Sequence, residues 1–240
     1  MRAGLWAVAF ALVILVQASS GGAWAQAPAE STEPDAAQPA EPSAQEPAPS
    51  AAPAAAPSEA PAATAAPAPP LVLPPGLPTL VPPSANAGDI DEVTLPEKPV
   101  AILAGDSTWD EGFKNLSASF ARIVDALAKA GLKPAGRPLA VFLSADDTRF
   151  HYEAMVPLEA APANPEIAPD VKAGVTPSGP AFRFVHRAPY DEIDTTYEAI
   201  TAYLDSKNII AKDAFIEEYV SDLKDPSDPN LQINVYVQPK

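Results

Sequence analysis

The stretch Ala181-Phe182-Arg183-Phe184-Val185-His186, the turn Ala188-Pro189-Tyr190-Asp191, and the segment Phe215-Ile216-Glu217-Glu218-Tyr219-Val220 decide how this chain folds. The first hexapeptide reads as a strand. After the turn, Ile193, Tyr197, Ile200 and Leu204 recur at +4, +3, +4, which is one face of a helix. In the second segment period two puts Phe215, Glu217 and Tyr219 on one strand face and Glu218 on the other, where it is expected to meet solvent. A further strand is expected over Leu231 to Val237, giving the order strand, helix, strand, strand from Gly179 to Val237. Glu217 is the unusual member, because an acid between two rings on a half-buried strand must be solvated, paired or used to hold a cation.

Working backwards, residues 93 to 157 show the same order. A strand over Val93 to Leu103, interrupted by Pro96 and Pro99, suggests an edge or a bulge. Asp106, Ser107 and Thr108 offer caps to a helix whose stripe is Trp109, Phe113, Leu116, Phe120, Ile123, Val124 and Leu127, ended by Gly131 and Pro134. Leu139 to Ser144 and Arg149 to Pro157 form an expected hairpin over Ala145-Asp146-Asp147. The proline-rich stretch Ala160 to Pro177 is expected to be a loop. Residues 93 to 157 and 179 to 237 are thus a candidate duplication by element order. Two such units can close one antiparallel sheet with both helices on one face, an α+β fold.

His186 to Tyr190, Glu217-Glu218-Tyr219, and Asp225-Pro226 ahead of the last strand resemble motifs of the GyrI-like small-molecule-binding family, the effector domain of many multidrug-sensing transcription regulators. Ala188 stands in place of the motif's glycine, and Gln238 where the family usually shows proline. The resemblance implies a ligand groove between the repeats and places Glu217 at its bottom, attracting lipophilic cations. It covers about 150 residues, from 89 to 240, and lacks the regulators' DNA-binding partner domain.

Composition bounds the rest of the chain. Of 240 residues, 1 to 25 read as an export signal: Arg2, an apolar run from Leu5 to Val16, then Ala23-Trp24-Ala25 as a small-x-small cleavage site. The run is too short to span a bilayer, so cleavage near Gln26 and a periplasmic or secreted location are expected, an uncleaved anchor being the alternative. Residues 26 to 88 hold seventeen prolines among Ala, Glu, Ser and Gln, and read as a disordered linker. Within it, Leu71-Val72-Leu73 through Leu80-Val81 is an apolar patch fenced by prolines, either linker or a short docking peptide.

Net charge is −16, and between Arg2 and Lys98 there is no Lys or Arg. That excludes the clustered basic side chains that nucleic acid requires and fits cationic ligands. The absence of cysteine excludes disulfides and thiol nucleophiles. With His151 and His186 the only imidazoles, and neither in a His-x-x-His or His-Glu-x-x-His spacing, no metal site or cofactor is expected.

The candidate ligand-binding residues are Glu217, Tyr219, Phe215, Tyr190, Trp109 and His151, and none is assigned a catalytic role. Each has a plainer alternative. Glu217 could pair across strands with Arg183, Tyr197 reads as core, and His151 with Glu153 could be ordinary surface. Three functions remain open: an exported module binding an amphipathic or cationic small molecule; a hydrolase of small molecules using Glu217 and Tyr219 for acid/base work; and an envelope interaction protein with a vestigial groove, meeting its partner through the proline tract. The reading leans away from an enzyme.

Overall fold

The computed structural model describes residues 76–83 and 90–240; the expected signal segment and most of the expected linker lie outside them. Proline splits the first expected strand in two: β1 (Asp91–Leu95) ends before Pro96, and β2 (Pro99–Thr108) begins at Pro99. A 3₁₀ turn at Trp109–Glu111 leads into α1 (Gly112–Lys129), which Gly131 leaves in the left-handed region at φ 70°. The hairpin follows as β3 (Leu139–Ala145) and β4 (Arg149–Pro157). Its turn is built by Asp146, whose Oδ1 accepts from the Thr148 and Arg149 amides and from the Thr148 hydroxyl.

The expected loop from 160 to 177 instead contains a second small hairpin, β5 (Glu166–Ala168) and β6 (Val171–Val175), with β6 paired to β2. Pro165 and Pro177 flank this hairpin without entering its strands. The second unit is β7 (Gly179–Arg187), α2 (Ile193–Lys207), β8 (Ala211–Tyr219) and β9 (Gln232–Pro239), with a 3₁₀ turn at Tyr190–Glu192. Asn208, at φ 53°, closes α2, since asparagine tolerates the left-handed region better than most residues.

The nine strands of the described residues form one antiparallel sheet in the order β1-β7-β9-β8-β3-β4-β2-β6-β5. The middle six positions carry the duplication: β7-β9-β8 faces β3-β4-β2, each unit placing its third strand between its first and second. The units meet at β8 and β3, where Phe215 lies opposite Phe142 and Glu217 opposite Ala140.

Both helices cover the same sheet face. Leu116, Phe120, Ile123 and Leu127 of α1 and Ile193, Tyr197, Ile200 and Leu204 of α2 share one apolar layer with Phe142, Phe150, Phe184, Phe215 and Val235 of the sheet. The α2 stripe read from the sequence is buried throughout, whereas in the first helix Leu116, Phe120, Ile123 and Leu127 are buried, Phe113 and Val124 are half-buried, and Trp109 sits in the turn before the helix. Burying such side chains gives about 1.5–3 kcal/mol each, and this layer is the main core.

The opposite face is covered as well. Leu80 and Val81, 6% and 7% exposed, pack with Leu95, Val100, Leu139, Val141, Met155, Ala181, Ile216 and Tyr236. Pro78 O accepts from the Arg137 amide at 3.0 Å, and Thr79 Oγ1 donates to Val81 O at 2.6 Å. Of the two readings of this proline-fenced stretch, the part at 76–83 is a docked peptide and not a loose spacer.

Candidate functional site

Three elements converge on Glu217. Strand alternation in β8 aims its side chain at the helix layer, the buried stripe of α2 carries Tyr197 over it, and Tyr219 follows two residues on along the same strand face. The Tyr197 hydroxyl donates to Glu217 Oε1 at 2.6 Å, and the Tyr219 hydroxyl donates to Oε2 at 2.7 Å. Tyr190, held at its turn by a hydrogen bond from its backbone N–H to Pro226 O at 2.7 Å, adds a third phenol as a hydrogen-bonding neighbour of the carboxylate.

Rings enclose this cluster. Tyr197 meets Phe215 edge-on at 5.4 Å, Tyr219 meets Phe120 at 5.3 Å, and Tyr190 meets Phe113 at 5.4 Å. These are favourable T-shaped contacts, and they bring both helices and the central strand into one aromatic shell.

Glu217 is 2% exposed. Burial pushes its proton affinity up, and the hydroxyls of Tyr197, Tyr219 and Tyr190 pull it back only in part. The three phenols are pushed well above their ordinary range by the same burial and by the carboxylate's charge, so they remain proton donors. Among the described residues Glu217 has no ion-pair partner. The alternative pairing with Arg183 does not form, because Arg183 projects from the opposite face of the sheet, where it bonds Asp91 at 2.5 Å.

The other expected site residues are placed differently. Trp109 lies half-buried on Phe150 at 4.9 Å and donates its indole N–H to Asp146 O, so it anchors the hairpin turn. Phe150 continues to Phe142, the neighbour of Phe215 across the β3–β8 pairing, so Trp109 joins the aromatic layer without reaching Glu217. His151 alternates with Phe150 and Tyr152 along β4, and therefore faces away from the helices. Its side chain is 62% exposed and pairs with Asp106 on β2; the structure does not bring it to the site.

Two further expectations change. Glu218 is not solvent-facing but fully buried on the second sheet face, where it accepts from the Leu80 amide at 2.5 Å, Asn234 at 2.9 Å and the Tyr236 hydroxyl at 2.7 Å. Tyr197, read as core, is buried and is also a direct partner of Glu217. The signal lay in its hydroxyl: a tyrosine on an otherwise aliphatic buried stripe needs a polar partner.

His186 packs beside this region. Its Nδ1 lies 2.9 Å from the Thr196 hydroxyl and its Nε2 3.1 Å from Pro189 O, an arrangement that ties strand β7 to the turn carrying Tyr190. Burial lowers its proton affinity, which favours a neutral ring. Among the described residues no group of three His, Asp or Glu side chains is placed to hold a metal ion. No helix among them is long and apolar enough to cross a membrane.

Comparison with known proteins agrees with this architecture. The C-terminal domain of EcmrR gives a TM-score of 0.55 at 14% identity, covering 64% of this chain and 98% of that one. EcmrR in its complex with DNA gives 0.55 at 14%, covering 63% of this chain and 57% of that one, so the chain spans little more than half the length of that EcmrR chain. A hydrolase from Listeria innocua gives 0.47 at 11%, covering 65% of this chain and 94% of that one. No curated protein matches the chain. At 14% identity the likeness to the EcmrR structures is one of fold alone. The GyrI-like small molecule binding domain matches residues 88–240, and the chain belongs to that family.

Proposed function

We propose that this protein is an exported binding module whose helix-covered face takes an amphipathic cation, with its charge set against Glu217 and its apolar body among Phe215, Phe120 and the tyrosine rings. The observation that carries this reading is Glu217 itself: a buried carboxylate whose hydrogen-bond partners are neutral phenols. Burying a charge without a countercharge is costly, and a cation entering beside it would recover that cost where water is excluded. Ring faces would add roughly 0.5–2 kcal/mol of cation–π attraction. Since Glu217 is 2% exposed, loading requires the α1–α2 layer to part over β8.

Hydrolysis would need a group that cycles its proton: the phenols are held protonated, while the burial that raises the proton affinity of Glu217 would also suit it to a general base, so the carboxylate is common to both readings. Export rests on the leader-like segment at 1 to 25.

The test is titration of the purified protein with a lipophilic cationic dye. Glu217→Gln is expected to weaken binding by about 1–3 kcal/mol, the scale of a lost charge-assisted contact. Glu198→Gln, which removes an exposed charge from α2, is the control for non-specific attraction to an acidic surface. Equal losses in both variants, or no saturable binding, would reject the site.

A further inference from the structure

The second face of the sheet holds a site of its own. Three main-chain groups of the 76–83 segment are captured: the Leu80 amide by Glu218, Pro82 O by Arg183 Nη1 at 2.6 Å, and Pro78 O by the Arg137 amide. Glu218 is fully buried and Arg183 is 4% exposed, and both are fixed from behind, Glu218 by Tyr236 and Asn234, Arg183 by Asp91. Leu80 and Val81 fill the apolar space between them. An acid for an N–H, a guanidinium for a carbonyl and an apolar bed for two side chains are the parts of an extended-peptide receptor.

The peptide is suited to that receptor. Prolines at 78, 82 and 83 fix the backbone in extended conformations, which lowers the entropy lost on docking. Only residues 84–89, Ser-Ala-Asn-Ala-Gly-Asp, join Pro83 to Ile90 at the start of the folded sheet. None of the contacts made by Leu80, Val81 or Pro82 depends on that connection, and an identical segment delivered by a second copy would make the same contacts.

We propose that this back face is a peptide-binding site for an extended, proline-flanked Leu-Val segment, and that the Gly76–Pro83 segment of a second copy of this chain can fill it, linking two molecules by segment exchange. The contacts are the same in the closed and exchanged forms, so chain concentration decides between them. The recognised chemistry is a leucine bearing a free amide N–H, followed by an apolar residue and then a proline carbonyl. A proline at position 80 would have no N–H for Glu218.

The full chain provides the test. Refolded at high concentration, it is expected to yield a dimer resolved by light scattering. Leu80→Asp disables the segment and leaves the receptor intact, whereas Arg183→Met disables the receptor and leaves the segment intact. Mixed and refolded together, they are expected to give a one-to-one heterodimer that neither forms alone. Monomer in both experiments overturns the proposal. Should either variant fail to fold, the otherwise unchanged chain carrying a protease site within residues 84–89, cut there, replaces it, challenged with a fluorescent peptide of sequence Gly76–Pro83. Exchange is expected to saturate at one peptide per molecule and to exceed that on the uncut chain at least tenfold; failure of the cut chain to take the peptide overturns the proposal.

Discussion

Replacing Glu217 by glutamine separates two opposing effects that the structure places on one side chain. The carboxylate accepts two short hydrogen bonds from Tyr197 and Tyr219, and bonds to a charged acceptor contribute about 1.5–3 kcal/mol each, against about 0.5–1.5 for a neutral one. Glutamine therefore forfeits about 2–3 kcal/mol from the pair. Against this stands the burial of a charge, which costs several kcal/mol even after relaxation. Because the net direction for Glu217 is a raised proton affinity, caused first by burial, the second effect wins. A carboxyl group whose folded pKa lies above its unfolded one contributes stability that is fully present below the unfolded pKa and is lost as pH rises through the folded value. The variant has no such loss. The wild type should thus lose stability relative to Glu217→Gln as pH is raised from about 4.5, the unfolded value, to about 8, with the gap reaching roughly 1–3 kcal/mol. Urea midpoints for both proteins across that range measure it, provided the m-values agree. A wild type that gains on the variant with rising pH would mean that the phenols overcompensate the charge. The cation reading would then lose its physical basis, because nothing would remain for a ligand to neutralise.

Gly105 is expected to reject even alanine: an added Cβ would stand 2.6 Å from the Tyr152 ring, whose hydroxyl is held at 2.9 Å by Ser119, so the ring cannot swing away cheaply. Thermal unfolding of Gly105→Ala should show a loss of about 1–3 kcal/mol, the usual cost of overpacking, and an unchanged midpoint would show that the ring is freer than its contacts indicate. Expressed in a bacterium with its own leader, the chain should be recovered outside the cytoplasm with an N-terminus close to Gln26; intact mass and N-terminal sequencing decide, and full-length protein in the cytosol would count against export.

What the sequence conveyed best was periodicity. Ile193, Tyr197, Ile200 and Leu204 are all buried in α2, and Phe215, Glu217 and Tyr219 all face the helices, because helix and strand spacing determine which side chains share a face. Periodicity says nothing about what covers the other face. Glu218 was expected to meet water by alternation alone, yet it is buried by a peptide 138 positions earlier in the chain. No local pattern could carry that contact, since the covering segment lies beyond the family's matched residues and is rich in the prolines that usually mark a spacer. His151 failed for the converse reason: alternation along β4 already placed it opposite Phe150 and Tyr152, but which of the two faces lay beneath the helices depended on strand order.

The two adjacent acids of β8 now divide the domain's chemistry between its faces. Each is buried and hydrogen-bonded, and burial raises the proton affinity of both. Their partners differ in a way that bears on function. Glu218 has a backbone amide, an asparagine and a tyrosine, and stands near the charge of Arg183, so its charge is partly answered within the chain. Among the described residues Glu217 has only phenols. A charge answered internally serves structure, here the seating of 76–83; a charge left unanswered in an aromatic shell is the one that a cationic ligand can complete. The residues are neighbours on one strand, so any shift of β8 that opens the helix-covered face also moves the groups that hold the peptide on the other.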